Sequence, residues 1–252
     1  LAEIVIAKAQ SPTVLYGIAP VHQCLLQSNR QCYRLLIKKK PSSPRLKEIL
    51  KLAKERSLPV QITDNHQLSQ KAGAKLHQGV VLECSELQVL ELDQWLNQVS
   101  EARHALLIAL DQVEDPQNVG AITRSAAFLK ADGLLVLRDK AAPLSAAVSK
   151  ASAGALEYFP MIQVTNLSEA LEKLKKNGFF AAGAAWDEDS EDFRDAAVTD
   201  KMVLVLGNEG QGLRQLTRKR CDYLVHIPGD ERAESLNVSA AAAILIQHFV
   251  TR

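Results

Sequence analysis

The 252-residue chain has no apolar run near the ~18 residues a membrane-spanning helix needs, which argues against a membrane span. Its opening, Leu1 to Gln10, lacks the basic, apolar and small-residue order of a signal peptide, so a cytosolic or mitochondrial-matrix protein is expected. A leucine in first place reads as the start of a piece cut from a longer chain. Cysteine is sparse: Cys24, Cys32, Cys84 and Cys221 never fall in Cys-x-x-Cys spacing, which removes the usual zinc arrangements and any disulfide framework. No metal site is expected. Internal repeats and low-complexity tracts are lacking too. The acidic stretch Asp187, Glu188, Asp189, Glu191, Asp192 reads as a solvated loop without chemistry.

Net charge is also nearly absent, +1 overall, but that balance hides an asymmetry. Residues 1–95 hold 13 Lys and Arg against 8 Asp and Glu, while the remainder holds 17 against 21. Between Arg30 and Arg56 ten basic residues face only Glu48 and Glu55. Such density suits phosphates, and Arg30, Arg34, Lys38, Lys39 and Lys40 are the RNA-contact candidates; the same residues would also suit a solvated surface.

Periodicity divides the chain. In front, a helix near Gly17–Ser28, a strand at Leu35–Ile37, a helix with Leu46, Ile49, Leu50 and Ala53 on one face, a strand near Pro59–Ile62 and a polar helix near His66–Lys75 make a small α/β unit over 1–84. Pro41 and Pro44 punctuate its strand-to-helix turn. Residues 85–103 read as a linker or short bridging helix with Trp95 as a packing anchor. From 104 to 252 strands alternate with helices, starting with the apolar run Ala105–Leu110, the mark of a parallel sheet covered on both faces.

Three segments of this second part carry candidate chemistry. In the first, Asn118 and Pro116 open a helix that puts Gly120 and Arg124 four residues apart, so the Arg124 guanidinium is expected to extend over an unobstructed Gly120 toward a phosphate near the positive end of the helix. Close helix packing at Gly120 is the plainer alternative. The second is Leu204–Leu213, a strand running into Gly207-Asn208-Glu209-Gly210-Gln211-Gly212. This order is neither the dinucleotide fingerprint nor a phosphate loop, and Glu209 would repel a pyrophosphate, whereas a sulfonium would suit it; a plain glycine turn stays open. In the third, Ile227-Pro228-Gly229 is followed by Ser235-Leu236-Asn237-Val238-Ser239, with Ser235 as the expected helix cap.

Together, Asn118-x-Gly120-x-x-x-Arg124, Gly207-Asn208-Glu209-Gly210-x-Gly212, Ile227-Pro228 and Glu234-Ser235-Leu236-Asn237-Val238-Ser239 resemble the motifs of SpoU-type 2′-O-ribose methyltransferases of the SPOUT superfamily. Leu15-Tyr16-Gly17-Ile18 and His77-Gln78-Gly79-Val80 are similar to the substrate-binding domain of its ribosomal-RNA branch. The resemblance implies a trefoil-knotted α/β domain, a homodimer through its first and last helices, S-adenosylmethionine as cofactor, and a guanosine of large-subunit ribosomal RNA as substrate. It implies donor contacts from Gly207, Ile227 and Leu236, with Ala184 as a further candidate. Asn118, Glu209, Ser235 and Asn237 would position the ribose and Arg124. Arg124 would take the hydroxyl proton or, since a guanidinium with a pKa above ~12 is a poor base, clamp the phosphate.

Overall fold

The computed structural model describes residues 12–27, 30–40, 43–230, 232 and 235–250. Ser28, Pro41, Glu234 and the Leu1–Gln10 segment, which figured in the sequence reading, lie outside them. The chain divides into two compact units between Gln88 and Val89.

The first unit runs β1 (Thr13–Tyr16), α1 (Ile18–Gln27), β2 (Cys32–Lys38), α2 (Pro44–Glu55), β3 (Val60–Thr63), α3 (Asn65–Ala72) and β4 (Val80–Cys84). Its sheet has the order β1-β4-β2-β3; β4 pairs antiparallel with both neighbours, and β2–β3 is parallel. The helix starts follow local chemistry. Ser43 caps α2 by accepting from Leu46 N, with Pro44 in the first turn, and Asp64 caps α3 through Gln67 N.

The second unit runs α4 (Leu92–Gln98), β5 (Ala105–Asp111), α5 (Pro116–Phe128), β6 (Gly133–Leu137), α6 (Ala146–Ala151), β7 (Met161–Val164), α7 (Leu167–Lys176), β8 (Phe180–Ala184), β9 (Glu191–Asp192), β10 (Lys201–Gly207), α8 (Gln215–Arg220), β11 (Tyr223–His226) and α9 (Val238–Phe249). Its sheet has the order β7-β6-β5-β10-β8-β11-β9, parallel throughout. Every residue of β5 and β6 is buried, as the unbroken apolar runs required.

Two expectations change here. The stretch read as a linker or short bridging helix, 85–103, holds the helix α4 with Trp95 as its packing anchor, but Leu92, Trp95 and Leu96 belong to the second unit's core rather than to a bridge. The Trp95 ring lies 5.6 Å from that of Phe179, and its Nε1 donates to the Asp132 carbonyl at 3.0 Å. The acidic stretch is not wholly a loop: Glu191 and Asp192 pair in parallel with Val225 and His226, because a backbone ladder is indifferent to the charge of the side chains it carries.

Candidate active site

Parallel strands deliver their carboxyl ends to one edge of the sheet, and the loops that follow β5, β8, β10 and β11 start there. β5 ends in Asp111, fully buried, whose carboxylate accepts from Arg214 Nε at 2.6 Å and Arg214 N at 3.0 Å. A buried carboxylate needs such partners, and these two tie the exit of the glycine loop to the end of β5.

The glycine loop is a tight reversal. Asn208 N donates to the Gly212 carbonyl at 3.2 Å, Gly212 N returns to the Asn208 carbonyl at 2.8 Å, and Gly212 sits at φ +65°. A Cβ on Gly207 would stand 2.3 Å from the Gly212 carbonyl carbon, so only glycine lets the loop fold back on the strand end. Asn208 fixes the loop twice: its Oδ1 accepts from Gly210 N and its Nδ2 donates to the Gln112 carbonyl, both at 2.9 Å.

This presents Glu209 to two helix starts at once. Its Oε1 accepts from Asn118 Nδ2 at 3.1 Å, from Val238 N at 3.2 Å and from Asn237 Nδ2. Asn237 Nδ2 also approaches Asn118 Oδ1 at 3.0 Å, and Asn237 Oδ1 accepts from Ser239 N at 2.9 Å. Asn118, Glu209 and Asn237 therefore close a hydrogen-bonded cluster from three segments far apart in the chain, with a carboxylate at the positive end of α9. Glu209 Oε2 takes no donor from the described residues.

Other candidates fall differently. Asn237, not Ser235, caps α9; Ser235 is exposed and bonds to no described residue, because the helical backbone starts two residues later than the cap residue type suggested. Asp115 caps α5 through Gln117 N, with Asn118 inside the first turn. Arg124 is exposed and pairs with no described residue. The expected open space above Gly120 is filled: a Cβ there would lie 2.3 Å from Ala151 Cβ and 2.9 Å from Ser152 N, so Gly120 serves the close approach of α5 and α6. Ile227 leaves β11 half-buried, Leu236 is 50% exposed beside Asn237, and Ala184 ends β8 in register with Leu206.

In the first unit the basic candidates separate. Arg30 is buried and donates Nη1 to the Ser85 carbonyl at 3.0 Å. Arg34 binds Glu83 through Nε at 2.9 Å and Nη2 at 3.0 Å, and Lys71 Nζ stands 3.0 Å from the same carboxylate. The Arg34 hydrogen bond, ahead of the burial that opposes it, holds the Glu83 carboxyl below its ordinary value. Arg30, buried and bonded within its own unit, offers little surface to RNA, whereas Arg34 is tied to Glu83 with its side chain still partly exposed. Lys38 lays its aliphatic stem over Gly79, while Lys39 and Lys40 are exposed. Asp111 and Arg214 were missed; a lone acid closing the apolar run Ala105–Leu110 was the available signal. Among the described residues no His, Cys, Asp or Glu cluster could hold a metal.

Family comparison agrees with this geometry. Residues 105–247 match the SpoU rRNA methylase family and residues 14–90 match the RNA 2′-O ribose methyltransferase substrate-binding domain. The chain belongs to the SpoU rRNA methylase family, RNA 2′-O-ribose methyltransferases whose methyl donor is S-adenosylmethionine. It is 35% identical over 235 residues to the 23S rRNA (guanosine-2′-O-)-methyltransferase RlmB of Pseudomonas putida, covering 92% of this chain and 93% of that one. It is 34% identical to a TrmH family tRNA/rRNA methyltransferase of Staphylococcus aureus, covering 93% and 94%. In fold it is similar to the SpoU methyltransferase AviRb of Streptomyces viridochromogenes, solved with its cofactor AdoMet, at TM-score 0.79 and 24% identity over 95% of this chain and 90% of that one.

Proposed function

We propose that this chain transfers the methyl group of S-adenosylmethionine to the ribose 2′-hydroxyl of a guanosine in large-subunit ribosomal RNA. The observation that carries it is the Asn118–Glu209–Asn237 cluster, which joins the three motifs around one strand edge. The guanosine and the ribosomal target are supported by the activity for which the Pseudomonas relative is named and by the substrate-binding domain match.

The residues present fit a cationic donor. Glu209 places a carboxylate within the glycine loop, which would oppose a pyrophosphate and favour a sulfonium, while Ile227, Leu236 and Ala184 offer apolar walls. Backbone groups at Gly207 and Ile227, with Leu236, would hold it. When bound, it supplies an electrophilic methyl group for in-line displacement by the ribose oxygen.

The chain's own residues do the positioning, which supplies much of the acceleration in such a displacement. Glu209 Oε2 is left to accept the hydrogen bond of the ribose hydroxyl and to take its proton as the oxygen is methylated, and Asn118 and Asn237 fix the carboxylate that does so. Arg124, exposed and unpaired with described residues, clamps the target nucleotide's phosphate; a guanidinium keeps its protons at any working pH. Lys39 and Lys40 of the first unit contribute sequence-independent phosphate contacts.

The same reading extends to a trefoil knot in the second unit and a homodimer through α5 and α9. Phe128 on α5 is 83% exposed and Ile244 on α9 39%, a bared apolar surface on neighbouring helices that supports self-association. Calorimetric titration with S-adenosylmethionine and methylation of a large-subunit ribosomal RNA transcript test the core proposal. Arg124→Ala should abolish methylation and leave donor affinity within a few fold. A wild-type protein that binds no donor, or an Arg124→Ala variant that loses it, overturns the assignment.

A further inference from the structure

Aromatic side chains are few here, and the two tryptophans have opposite fates. Trp95 is buried in the core, whereas Trp186 exposes 69% of its surface. Trp186 stands two residues beyond the end of β8, where Ala184 pairs with Leu206 on one side and Val225 on the other. It therefore leaves the sheet beside Gly207 and the glycine loop, on the edge that carries the candidate active site.

An exposed indole is usually loose, but this one is braced. Its ring lies 4.5 Å from that of His226 at 60°. His226 Nδ1 is 2.9 Å from Ser190 Oγ, and that hydroxyl donates to the Asp187 carbonyl at 2.6 Å while accepting from Asp187 N at 3.0 Å. Because the serine proton is committed to Asp187, the imidazole carries its proton on Nδ1 and donates it to Ser190. Arg218 pairs with Asp187, and Phe193 N donates to the His226 carbonyl at 3.0 Å, so the brace is anchored at both ends.

A fixed aromatic ring with bare surface at a catalytic edge is the device by which proteins hold an unstacked base. We propose that Trp186 is a stacking platform for a nucleobase of the RNA substrate, a role that rests on the reading of this chain as an RNA methyltransferase. The surrounding charge gives the nucleotide a direction. Glu188 and Asp189, two and three residues on in the chain, are exposed and repel phosphate but not the neutral face of a base. Charge at this spot therefore favours the base over its phosphate as the group that meets Trp186.

The test uses the full chain and its Trp186→Ala and Trp186→Phe variants, with circular dichroism confirming that each folds. Adding a short single-stranded RNA oligonucleotide should quench the fluorescence of the wild type, and most of that quenching should vanish in Trp186→Phe, which retains Trp95. With a large-subunit ribosomal RNA transcript at saturating donor, Trp186→Ala should raise the KM for RNA about tenfold or more, and Trp186→Phe should restore it to within about threefold. Donor affinity by calorimetry should stay within about twofold. An unchanged KM and quenching overturn the platform. Loss of donor affinity with an unchanged RNA KM also overturns it, assigning the ring to the donor's adenine instead. Quenching needs no methyl transfer, so a wild type that is quenched but neither binds donor nor methylates would sink the methyltransferase reading and leave the platform standing.

Discussion

Alanine at Gly207 should be the most damaging of the single-methyl changes in the glycine loop, and the structure gives its size. The added Cβ would lie 2.3 Å from Gly212 C, 2.5 Å from Gly212 O and 2.6 Å from Leu213 N, whereas ordinary contact starts at 3.4 Å, so two backbones must part by about 1.1 Å. Overpacking of that kind costs about 1–3 kcal/mol. The displacement also opens the Asn208–Gly212 pair of hydrogen bonds, each worth about 0.5–1.5 kcal/mol net. The sum, roughly 2–6 kcal/mol, should appear as a lower thermal midpoint. A 1 Å shift of Glu209 away from Asn118 and Val238 should also cut methyl transfer by about a hundredfold. Two neighbours serve as controls. A Cβ on Gly210 would meet nothing nearer than Asn208 Oδ1 at 3.6 Å, so Gly210→Ala should stay within about 0.5 kcal/mol of wild type. Gly212 has open space but φ +65°, so Gly212→Ala should cost only the left-handed strain of about 1–2 kcal/mol. Thermal unfolding and methylation rates of the three variants decide the matter: a Gly207→Ala protein that behaves as wild type, or a Gly210→Ala protein equally impaired, refutes the loop argument.

Other outcomes follow from the same structure. Lys39→Ala and Lys40→Ala should each weaken RNA binding without regard to sequence and lower the salt slope of the binding constant by about 1, whereas an unaltered slope would remove them from the interface. Removing residues 1–88 should sharply reduce RNA affinity while sparing S-adenosylmethionine binding measured by calorimetry. Cutting instead after Trp95 should destabilise the remainder by about 3–5 kcal/mol or more, since it strips Leu92 and Trp95 from the core. Glu83, held below its ordinary value of 4.5 by Arg34, gives stability that is present above that value and lost as pH falls through its lowered folded value. Glu83→Gln should therefore flatten the acid limb of a pH–stability curve, and parallel curves would contradict the assignment.

The strands of the second unit were legible because burial on both faces leaves unbroken apolar runs, as at Ala105–Leu110 and Gly133–Leu137. The convergence of Asn118, Glu209 and Asn237 was legible through motif resemblance, but their mutual bonds were not, since nothing local states that three distant amides and acids meet. Arg30 and Arg34 show the same limit from the other side. A run of basic residues reveals neither Ser85 nor Glu83, the partners, 55 and 49 residues away, that occupy two of its members. Helix α4 was legible only as one of two alternatives, because seven residues carry too little periodicity to show that they belong to the second unit's core. The start of α9 was displaced because serine and asparagine two positions apart are both good caps, and only the backbone chooses between them.

The position of β10 has a consequence for how this molecule comes into being. It is the middle of the sheet in space, gripped by β5 and β8, yet it is synthesised after both. A chain still emerging from the ribosome holds the β7-β6-β5 sheet with a raw hydrogen-bonding margin beside an unpaired β8, and it cannot join them until residues 201–207 slot between. Such late insertion favours slow maturation and exposes the nascent protein to mispairing, so shelter by a chaperone during that interval should matter more for its yield than any property of the finished enzyme.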